Sequence, residues 1–218
     1  MRKLLFAALF ILITNAICAQ TQRESDLRFA FALSPQISWL KSDHADVDGN
    51  GSSFGYNFGV VMDKFFAPNY AISTGLTINT TGGTLKYIEG GDFTIGGKPT
   101  ELEPGESLEY RLKYLEIPLS LKLQTNDQQR TSFYGVFGLS ANINVKTNDG
   151  SGNSLSNEVR DLFGSYHFGG GMQYSLGGNS YLSFGMHYNQ GFNDITKNKD
   201  FDDKTVLNRL VFQLALIF

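Results

Sequence analysis

His167 and His187 lie on either side of the tripeptide Gly177-Gly178-Asn179, each among small and polar residues. A tight turn at the glycines would fold the flanking segments into an antiparallel hairpin and set the imidazoles diagonally across it, about 7 to 8 Å apart. Two such rings can share a metal ion or act as acid and base. Spacing supplies no third ligand and no nucleophile, so the competing reading is a hydrogen-bonded network with Ser165, Gln173 and Asn189. A second set, Asp46, Asp48 and Asn50 in DHADVDGNG, has the spacing that opens a calcium-binding loop. The twelfth loop position falls on Asn57 instead of a bidentate Glu, which makes an acidic turn the alternative. The third set is charged: Arg28, Asp63, Arg111, Lys113, Glu116, Lys122 and Arg209 fall on the side of their segments assigned below to an interior. There they either line an ion path or pair with one another across a packed lumen.

No nucleophile elbow, phosphate loop or zinc signature occurs in residues 20–218. The expectation is a protein that is not an enzyme and takes no cofactor. A lipid-modifying activity would have to pair His167 or His187 with a nearby Ser.

Alternating segments must position these groups. Between Leu27 and Leu40 the residues Leu27, Phe29, Phe31, Leu33, Ile37 and Trp39 share one parity, while Arg28, Ala30, Ala32, Ser34, Gln36 and Ser38 share the other. That period of two defines a strand with one apolar face. The design recurs at 53–63, 70–80, 132–145, 162–176 and 181–192, and in the closing VLNRLVFQLALIF, where Leu210, Phe212, Leu214, Leu216 and Phe218 oppose Arg209 and Gln213. In LEYRLKYLEIPLSLKL the apolar parity switches at Tyr114-Leu115. One extra residue, a β-bulge, would produce the switch and put Glu109, Arg111, Lys113, Glu116, Ser120 and Lys122 inside. Eight amphipathic segments predict an all-β fold, a closed antiparallel up-and-down transmembrane barrel.

The polar parity is dominated by Gly, Ser, Ala and Asn, which suits a cramped lumen, whereas a solvated exterior would carry many Lys and Glu. This favours an apolar exterior in lipid over a secreted soluble barrel that binds an apolar ligand within. Composition agrees: 24 Gly, 18 Phe and 10 Tyr accompany only 18% charged residues. Trp39, Tyr70, Tyr110, Phe133, Tyr181 and Phe218 recur near segment ends, as interfacial girdles do. Tight turns near Pro68, at 125–130 and at Gly177-Gly178 alternate with long loops at 41–52, 84–107, 146–160 and 193–204, which predicts the long loops outside and both termini in the periplasm. Gly90-Gly91 marks a hairpin turn inside the second long loop. Inserted, that hairpin would make ten strands; an extramembrane flap keeps eight.

The opening MRKLLFAALFILITNAICAQ places Arg2 and Lys3 before an apolar run that is short for a membrane span, and ends in small residues. It predicts a signal peptide over 1–19 and an exported barrel domain over 20–218. The single cysteine, Cys18, falls in this leader, so the exported part has no disulfide; a lipoprotein-type cleavage would acylate Cys18, but bulky Ile17 precedes it. The net charge of -3 offers no basic face, and no nucleic-acid partner is expected.

The stretch YLEIPLSLKL, Tyr114 to Leu123, resembles the hallmark of the PorT-like outer-membrane β-barrel family. The resemblance implies a single barrel of about eight strands in the outer membrane of a Gram-negative bacterium, in contact with outer-membrane lipid. It implies a terminal aromatic, here Phe218, read by the barrel-assembly machinery during biogenesis. It also implies a structural or accessory role with envelope or secretion-system proteins, type IX secretion in the case of the namesake. A small-solute or ion channel is the alternative from another class.

Overall fold

The computed structural model describes residues 27–197 and 204–218. The leader, Cys18 and residues 198–203 of the last loop lie outside the described residues. The strands are β1 (Leu27–Lys41), β2 (Val47–Ala67), β3 (Tyr70–Tyr87), β4 (Gly91–Ile95), β5 (Lys98–Leu102), β6 (Ser107–Gln124), β7 (Thr131–Asn148), β8 (Leu162–Gly177), β9 (Ser180–Gly191) and β10 (Val206–Ile217). Eight of them close into one antiparallel barrel in the order β1-β10-β9-β8-β7-β6-β3-β2, while β4 and β5 form a separate two-stranded sheet. Closure leaves no sheet edge in the apolar medium, the condition for a sheet that spans a membrane. The seam pairs Phe31 with Leu216 and Leu33 with Leu214. Reciprocal backbone bonds between Phe29 and Phe218 finish it, at 3.0 and 2.8 Å.

Strand alternation separates two environments near the tight turns. Phe31, Leu33, Leu119, Phe133, Phe137, Leu139 and Leu214 are exposed on the outer surface. Ser34, Gln36, Ser73, Asn79, Ser120, Ser140, Ser165 and Gln173 are buried within. A soluble barrel would reverse these faces. Small inward residues let strands approach closely: a Cβ on Gly59 would lie 2.2 Å from the Leu76 carbonyl oxygen.

At the loop end the arrangement inverts. The β2–β3 ladder continues to Val47 opposite Tyr87, and β3–β6 to Lys86 opposite Ser107, whereas β8–β9 stops at Ser165 opposite Gly191. With the β6–β7 ladder reaching Arg111 opposite Asn148, the four strands β2, β3, β6 and β7 rise as a wall above the rest. Its inner face carries Val47, Leu85, Tyr87, Leu108, Tyr110, Leu112 and Tyr114, which pack with Phe93, Leu102, Leu155, Val159, Phe163 and Ile195 into a buried apolar core. Its outer face carries Lys86, Glu109, Arg111, Lys113 and Lys146. This is the pattern of a water-soluble sheet, and we call the region the head.

The β4–β5 hairpin lies on this core as an extramembrane flap, and the barrel count is eight. Its turn is Gly96-Gly97 rather than Gly90-Gly91, because both glycines of the former adopt the left-handed conformation of a two-residue hairpin turn, with φ of 60° and 77°. Thr94 N–H donates to Glu158 Oε1 at 2.8 Å and Gly96 N–H to the Ser154 carbonyl at 2.8 Å, tying the flap to the next loop.

Several sequence expectations change. The first long loop shrinks to residues 42–46, since β2 begins at Val47. There is no parity switch in β6: the even residues face inward from Leu108 to Lys122, so Glu109, Arg111 and Lys113 lie outside and not in the lumen. The polarity of the surroundings changes along the strand; the side assignment does not. The bulge is on the neighbouring strand, where Lys113 pairs with Lys146 and Tyr114 with Asn144, leaving Val145 as the extra residue. Tyr110 and Tyr181 are inward and buried, at 1% and 8% exposure, and are not girdle residues. Trp39, Tyr70, Phe133 and Phe218 do face outward.

Candidate functional site

The polar groups gather in the lumen below the head, in layers fixed by ladder register. Nearest the tight turns, the Arg28 guanidinium lies between the Phe65 and Tyr181 rings, 4.7 and 4.9 Å from their centroids. Such stacking lets a guanidinium sit among aromatics without an anionic partner. Tyr181 O–H donates to Asp127 Oδ2 in the turn at 3.2 Å, which fixes this stopper to the rim. Asp63 of β2, opposite Arg28 in the β1–β2 ladder, forms an ion pair with Lys122 of β6, and both are buried.

The middle layer holds the histidines. Register places His167 opposite Asn189 and His187 opposite Gly169, the expected diagonal. Their partners come from other strands. His167 Nε2 lies 2.7 Å from Ser120 Oγ and His167 Nδ1 lies 3.2 Å from Ser140 Oγ, so β6 and β7 hold this ring. His187 stands edge-on to Tyr134, centroids 6.2 Å apart, and its Nε2 has no protein partner. A cavity of about 100 Å³ lined by Glu116, Ser120, His167, His187, Asn189 and Gln213 meets one of about 50 Å³ lined by Asp63, Lys122, Tyr134 and Ser183. Spaces of that size hold several waters and exclude most solutes.

Directly under the head, Arg209 of β10 crosses the lumen. Its Nη1 donates to Glu116 Oε2 at 3.0 Å and to Asn79 Oδ1 at 2.7 Å. Asn79 Nδ2 donates to the same Glu116 oxygen at 2.6 Å, and Asn57 Nδ2 donates to Asn79 Oδ1 at 2.9 Å. Arg209 is 2% exposed. A charge so far from water needs its counter-ion and the added amides to offset desolvation. Above this layer come Tyr114, Leu112 and the rest of the apolar core, with the Tyr114 and Phe163 rings edge to face at 4.8 Å.

The lumen therefore unites Arg28, Asp63, Glu116, Lys122, His167, His187 and Arg209, while Arg111 and Lys113 lie elsewhere. Asp48 and Asn50 are on the β2 ladder, with Asp48 opposite Lys86, and Asn50 Nδ2 donates to Ser107 Oγ at 3.0 Å. Extended strand cannot wrap an ion as a twelve-residue loop does. Asp46 is in the preceding loop, 3.5 Å from His44 Nδ1. No group of three or more His, Cys, Asp or Glu suited to a metal occurs among the described residues. Sequence reasoning missed Asn79 as a partner of Arg209, Asn57 as the donor that supports Asn79, and Ser120 and Ser140 as partners of His167. Their inward parity was legible; the neighbours across the lumen were not.

The chain matches the family described as outer membrane protein beta-barrel domain over residues 18–197. It belongs to that family. Among solved structures, OprG of Pseudomonas aeruginosa is similar at a TM-score of 0.52 and 11% identity, covering 88% of this chain and 95% of its own. Neisserial surface protein A is similar at a TM-score of 0.50 and 14% identity, covering 86% and 97%. At these identities the likeness concerns the fold, an integral eight-stranded barrel. No curated protein matches the chain. The family places the protein in the outer membrane of a Gram-negative bacterium, its belt in contact with lipid.

Proposed function

We propose that the protein is a sealed, non-enzymatic barrel of the PorT-like kind, an accessory component of an envelope or secretion assembly that presents its head to partner proteins outside the membrane. In this reading residues 1–19 are removed as a signal peptide, and Phe218 carries the signal for the barrel-assembly machinery. One observation supports it above all: the space a channel would need at the loop end is filled by the apolar core. Loops and the outer wall remain for recognition, on a scaffold that holds them still.

The alternative, a small-solute or ion channel, predicts discrete conductance steps in planar bilayers. The sealed barrel predicts none, and steps that persist after repurification would overturn it. Photo-reactive residues at Lys98 and Glu101, both exposed on the flap, are expected to capture an envelope protein in whole cells. Capture only from the tight turns would contradict the head as the partner surface.

A further inference from the structure

Lys113 and Lys146 are a directly opposed ladder pair on β6 and β7, and both are exposed on the outer surface. The bulge creates this arrangement. After the extra Val145, Lys146 faces outward and Thr147 faces inward at 1% exposure. Like charges opposite one another in an antiparallel pair repel. Neither lysine takes part in an ion pair among the described residues, whereas neighbouring Arg111 is held by Glu109 at 2.8 Å. The pair stands at the border of the apolar belt, with Leu115, Ile143 and Val145 next to it on the outer face. A switch from apolar to charged outward residues marks the membrane–water interface of such a barrel, the height at which lipid phosphates of the loop-end leaflet lie.

Below the pair the barrel wall is hollowed. A groove of about 430 Å³ is lined by Ile117, Ala141, Leu162, Gly164 and Phe192, and a second of about 660 Å³ by Ile72, Leu121, Phe137 and Phe168. Both also touch Leu119 and Leu139, so they form one track down β6, β7 and β8. Ala141 and Gly164 leave it open where neighbouring outward positions carry Leu, Ile or Tyr. The Phe192 ring packs directly over Gly164, where a Cβ would come within 2.3 Å of it and push the ring aside. Lys113 to Leu121 spans about 26 Å of strand, about 20 Å along the barrel axis at the usual tilt. One leaflet's hydrocarbon is about 15 Å deep.

We propose that this face is a binding site for a phosphorylated acyl lipid of the loop-end leaflet, its phosphate between Lys113 and Lys146 and one acyl chain in the track. Two ammonium groups on one phosphate make charge-assisted hydrogen bonds and remove the repulsion that the bulge builds in. The groove supplies the apolar contact that a free anion lacks.

The test is native mass spectrometry of the refolded protein in maltoside micelles, with dioleoyl phosphatidic acid, dioleoylglycerol and inorganic phosphate as separate probes. Phosphatidic acid is expected to bind at least about tenfold more tightly than dioleoylglycerol. The double variant Lys113→Gln/Lys146→Gln should erase that difference, while Lys86→Gln/Lys98→Gln, which removes two other exposed lysines, should keep it. Ala141→Phe fills the groove with both lysines intact and should weaken phosphatidic acid as well. Undiminished binding in the double variant, or equal binding of the two lipids, would overturn the site. Displacement of phosphatidic acid by inorganic phosphate at similar concentration would reduce it to a simple anion contact and overturn the lipid assignment.

Discussion

The two ends of this barrel solve the same packing problem with opposite polarity. Toward the tight turns, apolar side chains face out and polar ones are enclosed, because lipid is the solvent. In the head, the inward parity continues with Leu85, Tyr87, Leu112 and Tyr114, and the outward parity becomes Lys, Arg and Glu, because water is the solvent. β6 passes through both environments without changing sides. A strand's sidedness is thus set by its ladder, while the chemistry of each side is set by the medium at that height. Arg209 marks the change inside the barrel, and the Lys113–Lys146 pair marks it outside.

The sharpest way to break the lumen half is Arg209→Ala. It leaves Glu116 buried and unpaired, and should cost about 3–5 kcal/mol in urea unfolding. Replacing both partners, as in Glu116→Leu/Arg209→Met, should recover most of that loss, because a paired charge offsets its own desolvation only in part. Leu85→Ala attacks the head instead and should cost about 2–5 kcal/mol. Its effect is local: hydrogen exchange should accelerate at the flap and at residues 155–159, while belt amides keep their protection. Leu119→Arg charges the middle of the belt at a 61% exposed position and should cost about 2–4 kcal/mol in bilayers. The same change at Thr84, on the outer face of the same sheet above the belt, should be close to neutral.

The smallest effect concerns pH. Burial would push the Asp149 carboxyl up, but Asn153, through side-chain and backbone donors at 2.9 and 2.7 Å, and the amides of Ser151 and Gly152 bring it below its ordinary value. A depressed carboxylate contributes stability above its unfolded pKa and loses it as pH falls through the folded value. Exchange in the 149–155 loop should therefore rise below about pH 4. Asp149→Asn should raise it at neutral pH and flatten the acid response.

The belt was legible because alternation with Phe, Leu and Tyr on one face is a local property. The strand count, the closing seam and the inward placement of Arg28, His167, His187 and Arg209 follow from it. The head was not legible in the same way. Reading apolar residues as outward everywhere assumes lipid everywhere, and that assumption turned Tyr110, Leu112 and Tyr114 outward and invented a bulge in β6. Holding the parity constant from Lys122 upward would have placed them inside. The partners of Arg209, on β10, come from β3 and β6, and chain-distant pairings of that kind need the closed barrel before they can be seen. The Lys113–Lys146 pair depends on one extra residue in β7, which no pattern in β7 alone announces.

Single nitroxide labels along β6 from 109 to 123, read for oxygen and nickel-chelate accessibility in a bilayer, test the inversion most directly. Odd positions should favour oxygen from 115 to 123 and the chelate from 109 to 113, with even positions shielded from both throughout. Chelate access at 110, 112 and 114 with shielding at 109, 111 and 113 would restore the parity switch and contradict the head.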